Sequence, residues 1–123
     1  MPKQGERAEK EAQRVLSKEF GVKLESRKKV MVGNNLHEFD LVSEKEGIFI
    51  EVKDYKFDNP STGKAGYSST RKHRLIGACF YLEKVKKAKK RILVLTDKRL
   101  CEQFKKDMQG LLSKVEIRHI PVK

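Results

Sequence analysis

At 123 residues the chain has the length of one domain with a genuine hydrophobic core, and residues 1–123 are expected to form a single unit. Its apolar runs, such as Ile92 to Leu95, fall far short of the ~20 residues a spanning helix needs, and its charged N-terminus does not read as a secretory signal, so no membrane partner is expected and the cytoplasm is the expected location. With 29 Lys and Arg against 17 Asp and Glu, the net charge of +12 favours a polyanionic partner, DNA or RNA, and a nucleoid-associated location.

Residues 5–20 carry Ala8, Ala12, Val15, Leu16 and Phe20 at helical spacing, and Gly21 is a natural stop. Residues 22–32 read as a strand with an open basic face. Gly33-Asn34-Asn35 then turns a hairpin into a strand over Leu36–Ser43. Glu44 to Gly47 turns the chain again, and Ile48–Lys53 is a third strand with an isoleucine face suited to a central position.

Residues 54–69, with Asn59-Pro60, Gly63 and Gly66, form a long loop, and loops of this length tend to be functional. Thr70 is expected to cap a helix running to about residue 89, with Leu75, Ala78, Cys79, Leu82 and Val85 inward. Its lysine-rich end, Lys84 to Arg91, reads as a solvated helix end or a peripheral phosphate contact. Arg91–Thr96 is a buried strand, and Asp97 caps a helix with Leu100, Cys101, Phe104, Met108, Leu111 and Leu112 inward. A final strand spans Val115–Val122. The order αβββαβαβ predicts an α/β fold: a meander feeding parallel crossovers, in one mixed sheet between helices. Cys79 and Cys101 read as core thiols, and neither they nor His37, His73 and His119 have zinc-ligand spacing.

The chemistry concentrates at Asp40, Glu51 and Lys53. Strand alternation puts Glu51 and Lys53 on one face and Ile48, Ile50 and Val52 on the other, with Asp40 on the neighbouring strand. Phe39, Leu41 and Val42 argue that Asp40 is partly buried, where an unpaired carboxylate is costly. Two carboxylates at one sheet edge suit a hard divalent cation, and a lysine beside them suits water positioning or charge on a phosphate. The plainer alternatives are a surface aspartate and a Glu51–Lys53 ion pair along the strand. Glu38 is a weaker acidic candidate on the face of Asp40.

These residues and the element order resemble the PD-(D/E)XK nuclease superfamily, which includes Holliday-junction resolvases, restriction endonucleases and related repair nucleases. Its αβββαβ core would cover nearly the whole chain, extended here by a further αβ unit. Its signature is an aspartate on the second strand and Glu/Asp-X-Lys on the third, matched by Asp40 and Glu51-Val52-Lys53 with ten residues between the acids. Gly5-Glu6-Arg7-Ala8-Glu9 matches the Gly-X-X-X-Glu of the first helix in several members, making Glu9 a candidate. Asp54-Tyr55-Lys56 repeats the tripeptide by chance, and Phe39 stands where proline often precedes the aspartate.

The resemblance implies Mg²⁺, with Mn²⁺ as substitute, held by Asp40, Glu51 and the Val52 carbonyl and assisted by Glu9. Lys53 would act as base, water-positioner or charge stabiliser. Arg71, Lys72 and Arg74 open the helix after the loop and suit phosphate, although a solvated charge run looks the same; Tyr67, Ser68 and Ser69 would contact the nucleic-acid backbone or belong to a loop that orders on binding. The expected activity is endonucleolytic hydrolysis of DNA, structure-selective because backbone contacts carry no sequence information. Action on branched DNA would call for a homodimer. The rival reading is a non-catalytic nucleic-acid-binding module, or a partner-dependent subunit, on the same fold.

Overall fold

The computed structural model describes residues 5–57 and 69–122. Its elements follow the order α1(Glu6–Phe20), β1(Glu25–Val32), β2(Asn35–Ser43), β3(Ile48–Lys53), α2(Ser69–Lys84), β4(Lys90–Leu95), α3(Lys98–Asp107) and β5(Glu116–His119). The strands form one mixed sheet in the order β1-β2-β3-β4-β5. The meander β1-β2-β3 is antiparallel, and the β3-β4 and β4-β5 pairs are parallel. The chain is therefore α/β, with helices on both faces of the sheet, and among the described residues no helix is long and apolar enough to cross a membrane.

Strand alternation divides the core. Leu41, Ile48, Ile50, Val52, Ile92 and Val94 face the Ala8, Ala12 and Leu16 stripe of α1. Phe39, Val42, Phe49, Leu93 and Leu95 face α2 and α3, whose contributions include Leu75, Leu82, Leu100 and Phe104. β3 is central and buried except at Lys53, as its isoleucine face requires. Cys79 and Cys101 are buried free thiols, and Asp97 caps α3 by accepting the Leu100 N–H at 3.0 Å.

Several element ends differ from the sequence reading for local reasons. β1 begins at Glu25, because the Val22 N–H is taken by Ser17 and the Leu24 carbonyl by the Gln13 side chain. Thr70 lies inside the first turn of α2 rather than at its cap, and the helix ends at Lys84, not residue 89. Arg91 causes that stop: its guanidinium donates to the carbonyls of Leu82 at 2.7 Å and Val85 at 2.9 Å, satisfying groups that helix ends leave open. Arg91 is thus a helix cap, not part of a solvated basic run. The Gly47 carbonyl then accepts the Lys89 and Lys90 N–H groups, drawing the chain into β4. Gly47 has φ +69, and a Cβ there would stand 3.0 Å from the Lys87 carbonyl oxygen, so glycine is required at this turn. Leu111 does not continue the α3 stripe: the helix ends at Asp107, and Leu111 is exposed while Leu112 packs on the core. β5 is short, and one further bond from the Ile120 N–H to the Leu95 carbonyl extends its pairing before Pro121.

Candidate active site

The site lies where the sheet forks. The β2–β3 ladder runs through Ser43↔Ile48, Val42↔Phe49 and Leu41↔Ile50 and stops there. At the next position the Asp40 carboxylate, not a backbone carbonyl, accepts the Val52 N–H at 2.7 Å. The β1–β2 ladder is interrupted at the same level, between Ser26↔Leu41 and Lys28↔Phe39. The residue skipped is Arg27, whose φ of 52 is left-handed. For a non-glycine residue that conformation costs roughly 1–3 kcal/mol and is tolerated where surrounding contacts hold it. Here the contact is an ion pair from Arg27 to Glu9 at 3.1 Å, which ties β1 to the first turn of α1.

The fork opens into a cleft of about 430 Å³ lined by Gly5, Val52 and Tyr55 and by two kinds of charge. Glu9, Glu38, Asp40 and Asp54 contribute carboxylates, and Arg27, Lys53, Arg71 and Arg74 contribute cations. Asp54 is partly committed, accepting the Thr96 hydroxyl at 2.6 Å, so the second Asp-X-Lys tripeptide serves the fold. Arg71 lies over the Tyr55 ring at 4.9 Å, which sets it against the cleft wall.

Burial is the main cause that raises Asp40 to about 6. The Val52 N–H and Lys53 oppose the shift, while the negative charge of nearby Glu9 adds to it. Burial and then the charge of Asp40 push Glu51 up to about 8, against Lys53 and the Asp40 N–H. Glu51 does not line the cleft. It is 4% exposed, and its Oε1 stands 3.5 Å from Nε2 of His37, with neither atom hydrogen-bonded. Burial, and secondarily Lys53, lowers the basicity of His37.

Of the residues singled out in the sequence, the structure brings Glu9, Asp40, Val52, Lys53, Arg71 and Arg74 to one cleft and places Glu51 behind it. Lys72 turns away and pairs with Asp107 at 3.4 Å. Of the three basic residues that open α2, Arg71 and Arg74 share a helix face and line the cleft. Ser69 is exposed at the first turn of α2 and does not line the cleft, while Tyr67 and Ser68 lie outside the described residues. Arg27, Asp54, Tyr55 and His37 were not singled out as site residues. Arg27 sits in a run of three basic residues with nothing to mark it, and His37 meets Glu51 only through the sheet.

Among the described residues, no three His, Cys, Asp or Glu groups are gathered closely enough to hold a metal ion. Asp40 is engaged with the Val52 N–H and Glu9 with Arg27, while Glu51 stands beside His37 without a hydrogen bond to it. The donor set still suits a hard cation. It consists of oxygens, one of which, Glu51 Oε1, is buried without a hydrogen-bond partner among the described residues. Comparison of the chain with protein-family models, curated proteins and solved structures found no match.

Proposed function

We propose that this chain is a divalent-cation-dependent endodeoxyribonuclease with a PD-(D/E)XK-like, restriction-endonuclease-like core. The observation that carries the reading is Asp40 at the sheet fork, beside Glu9 and next to Glu51, in a cleft that also presents Lys53, Arg27, Arg71 and Arg74. A purely binding surface has no use for a row of carboxylates in its cleft, because ionised acids repel phosphate. Carboxylates among cations suit a site that takes a metal and a phosphate together. The meander with α1 on one face and α2 on the other supports the same reading.

Asp40, Glu51 and the Val52 carbonyl would hold the cation, with Glu9 assisting. When bound, Mg²⁺ or Mn²⁺ supplies Lewis acidity to a phosphoryl oxygen and makes water a stronger nucleophile near neutral pH. The chain's own residues do the rest. Lys53 presents its ammonium to the cleft, where it orients the attacking water and offsets charge growing on the phosphoryl oxygens. The water oxygen bonds to phosphorus in line with the departing oxygen, the phosphorus–oxygen bond to that group breaks, and the leaving oxygen ends protonated. Arg71 and Arg74 hold neighbouring phosphates.

Backbone contacts of this kind select shape over sequence, so branched or junction DNA is the substrate proposed, with a homodimer supplying the second cut. Incubation with labelled linear duplex, single-stranded and four-way-junction DNA in Mg²⁺ or in EDTA tests the reading. Cutting that needs Mg²⁺, most efficient on the junction, is expected. Binding without cutting on every substrate would favour a non-catalytic module or partner-dependent subunit. Arg71→Ala and Arg74→Ala should each weaken binding evenly across sequences. Each should also reduce the slope of log affinity against log salt by about 1, measured by fluorescence anisotropy over a salt series.

A further inference from the structure

The facing pair His37 and Glu51 has no role in the scheme above. Nε2 of His37 and Oε1 of Glu51 are both buried, 3.5 Å apart and without hydrogen-bond partners among the described residues. A buried polar atom left unpaired is costly, so two such atoms side by side are driven to pair. The imidazole is held in place: it stacks on Tyr81 of α2 with centroids 3.9 Å apart and planes 7° from parallel. It also meets the buried Phe39 edge-on at 4.6 Å. The ring is fixed from two sides, so closing the gap falls to the Glu51 carboxylate.

We infer that His37 is a positioning residue for Glu51, its Nε2–H donating to Oε1 and holding that carboxylate in the orientation in which it serves as a cation ligand. The inference rests on the cation-site reading above. A ligand whose orientation is fixed by a hydrogen bond behind it binds metal more tightly, and removal of that bond typically costs about 10–100-fold in affinity. A space-filling role makes the opposite demand on substitutions. Phenylalanine at position 37 preserves a ring against Tyr81 and removes the donor. Glutamine removes the ring and keeps an N–H at similar reach.

The test is Mn²⁺ binding to the full chain, read from the electron paramagnetic resonance signal of the free ion, with thermal unfolding of each variant recorded alongside. His37→Phe is expected to bind Mn²⁺ at least about tenfold more weakly than the wild type while remaining folded, and His37→Gln to stay within roughly threefold. Wild-type affinity in His37→Phe would overturn the inference, as would His37→Gln binding no better than His37→Phe. A wild type that binds no Mn²⁺ at millimolar concentration, indistinguishable from Asp40→Asn, would remove the cation site itself and the inference with it.

Discussion

Lys53→Ala is expected to lower the single-turnover cleavage rate by about 10³-fold, an effect in the range of removing a positioned proton-transfer or charge-stabilising group. Lys53 ends the buried strand β3 and lines the cleft, and its charge acts on both Asp40 and Glu51. Cation binding should survive the change, because an ammonium beside a cation site repels the ion and alanine removes that repulsion. DNA affinity should fall only modestly, since Arg71 and Arg74 remain. Quench-flow cleavage together with Mn²⁺ titration separates these effects. Loss of cation binding in step with cleavage would assign Lys53 to the structure of the site and not to the chemical step.

The second large effect is on stability. Burial pushes Glu51 up to about 8 from an ordinary 4.5, so between those values the folded chain holds a proton that the unfolded chain has released. Stability is then fully present at low pH and lost as pH rises through this window, a trend to which Asp40, raised to about 6, adds. Glu51→Gln removes the Glu51 part. It should change stability by less than about 1 kcal/mol at pH 5 and raise it by roughly 4 kcal/mol at pH 8. Urea unfolding at the two pH values reads this directly. Saturating Mg²⁺ should flatten the wild-type trend, because the cation favours the ionised acids, and should do so less in the variant. Unfolding curves for wild type and variant that shift equally with pH would contradict the account of Glu51.

Much of the fold was legible because its signals are local. The limits of β3 were read to the residue from an apolar run between Gly47 and a charged tail, and Asp97 was recognised as a cap from its place between a buried strand and a helical stripe. The antiparallel meander and parallel crossovers follow from connection lengths. Asp40 stood out as an acid in a run of core residues. What escaped depends on contacts between distant segments. Arg27 looks like Lys28 and Lys29 until the sheet forks at its level. His37 reads as an ordinary strand residue until the fold stacks it on Tyr81 and sets it against Glu51. Arg91 reads as the last of a lysine-rich run until its reach to two helix-end carbonyls is seen. The place of Lys72 outside the cleft was legible: positions 71 and 74 share a helix face and 72 does not.

The most direct test of the central claim compares Asp40→Asn with the wild type in Mg²⁺, in single-turnover cleavage of a labelled junction at equal DNA occupancy. The substitution keeps an acceptor for the Val52 N–H that Asp40 now takes at 2.7 Å, so the fold and DNA binding should persist. Cleavage by the wild type, abolished by EDTA and reduced at least about 10³-fold in Asp40→Asn with binding intact, is the predicted result. Cutting at the wild-type rate by Asp40→Asn would contradict the assignment of this cleft as the active site.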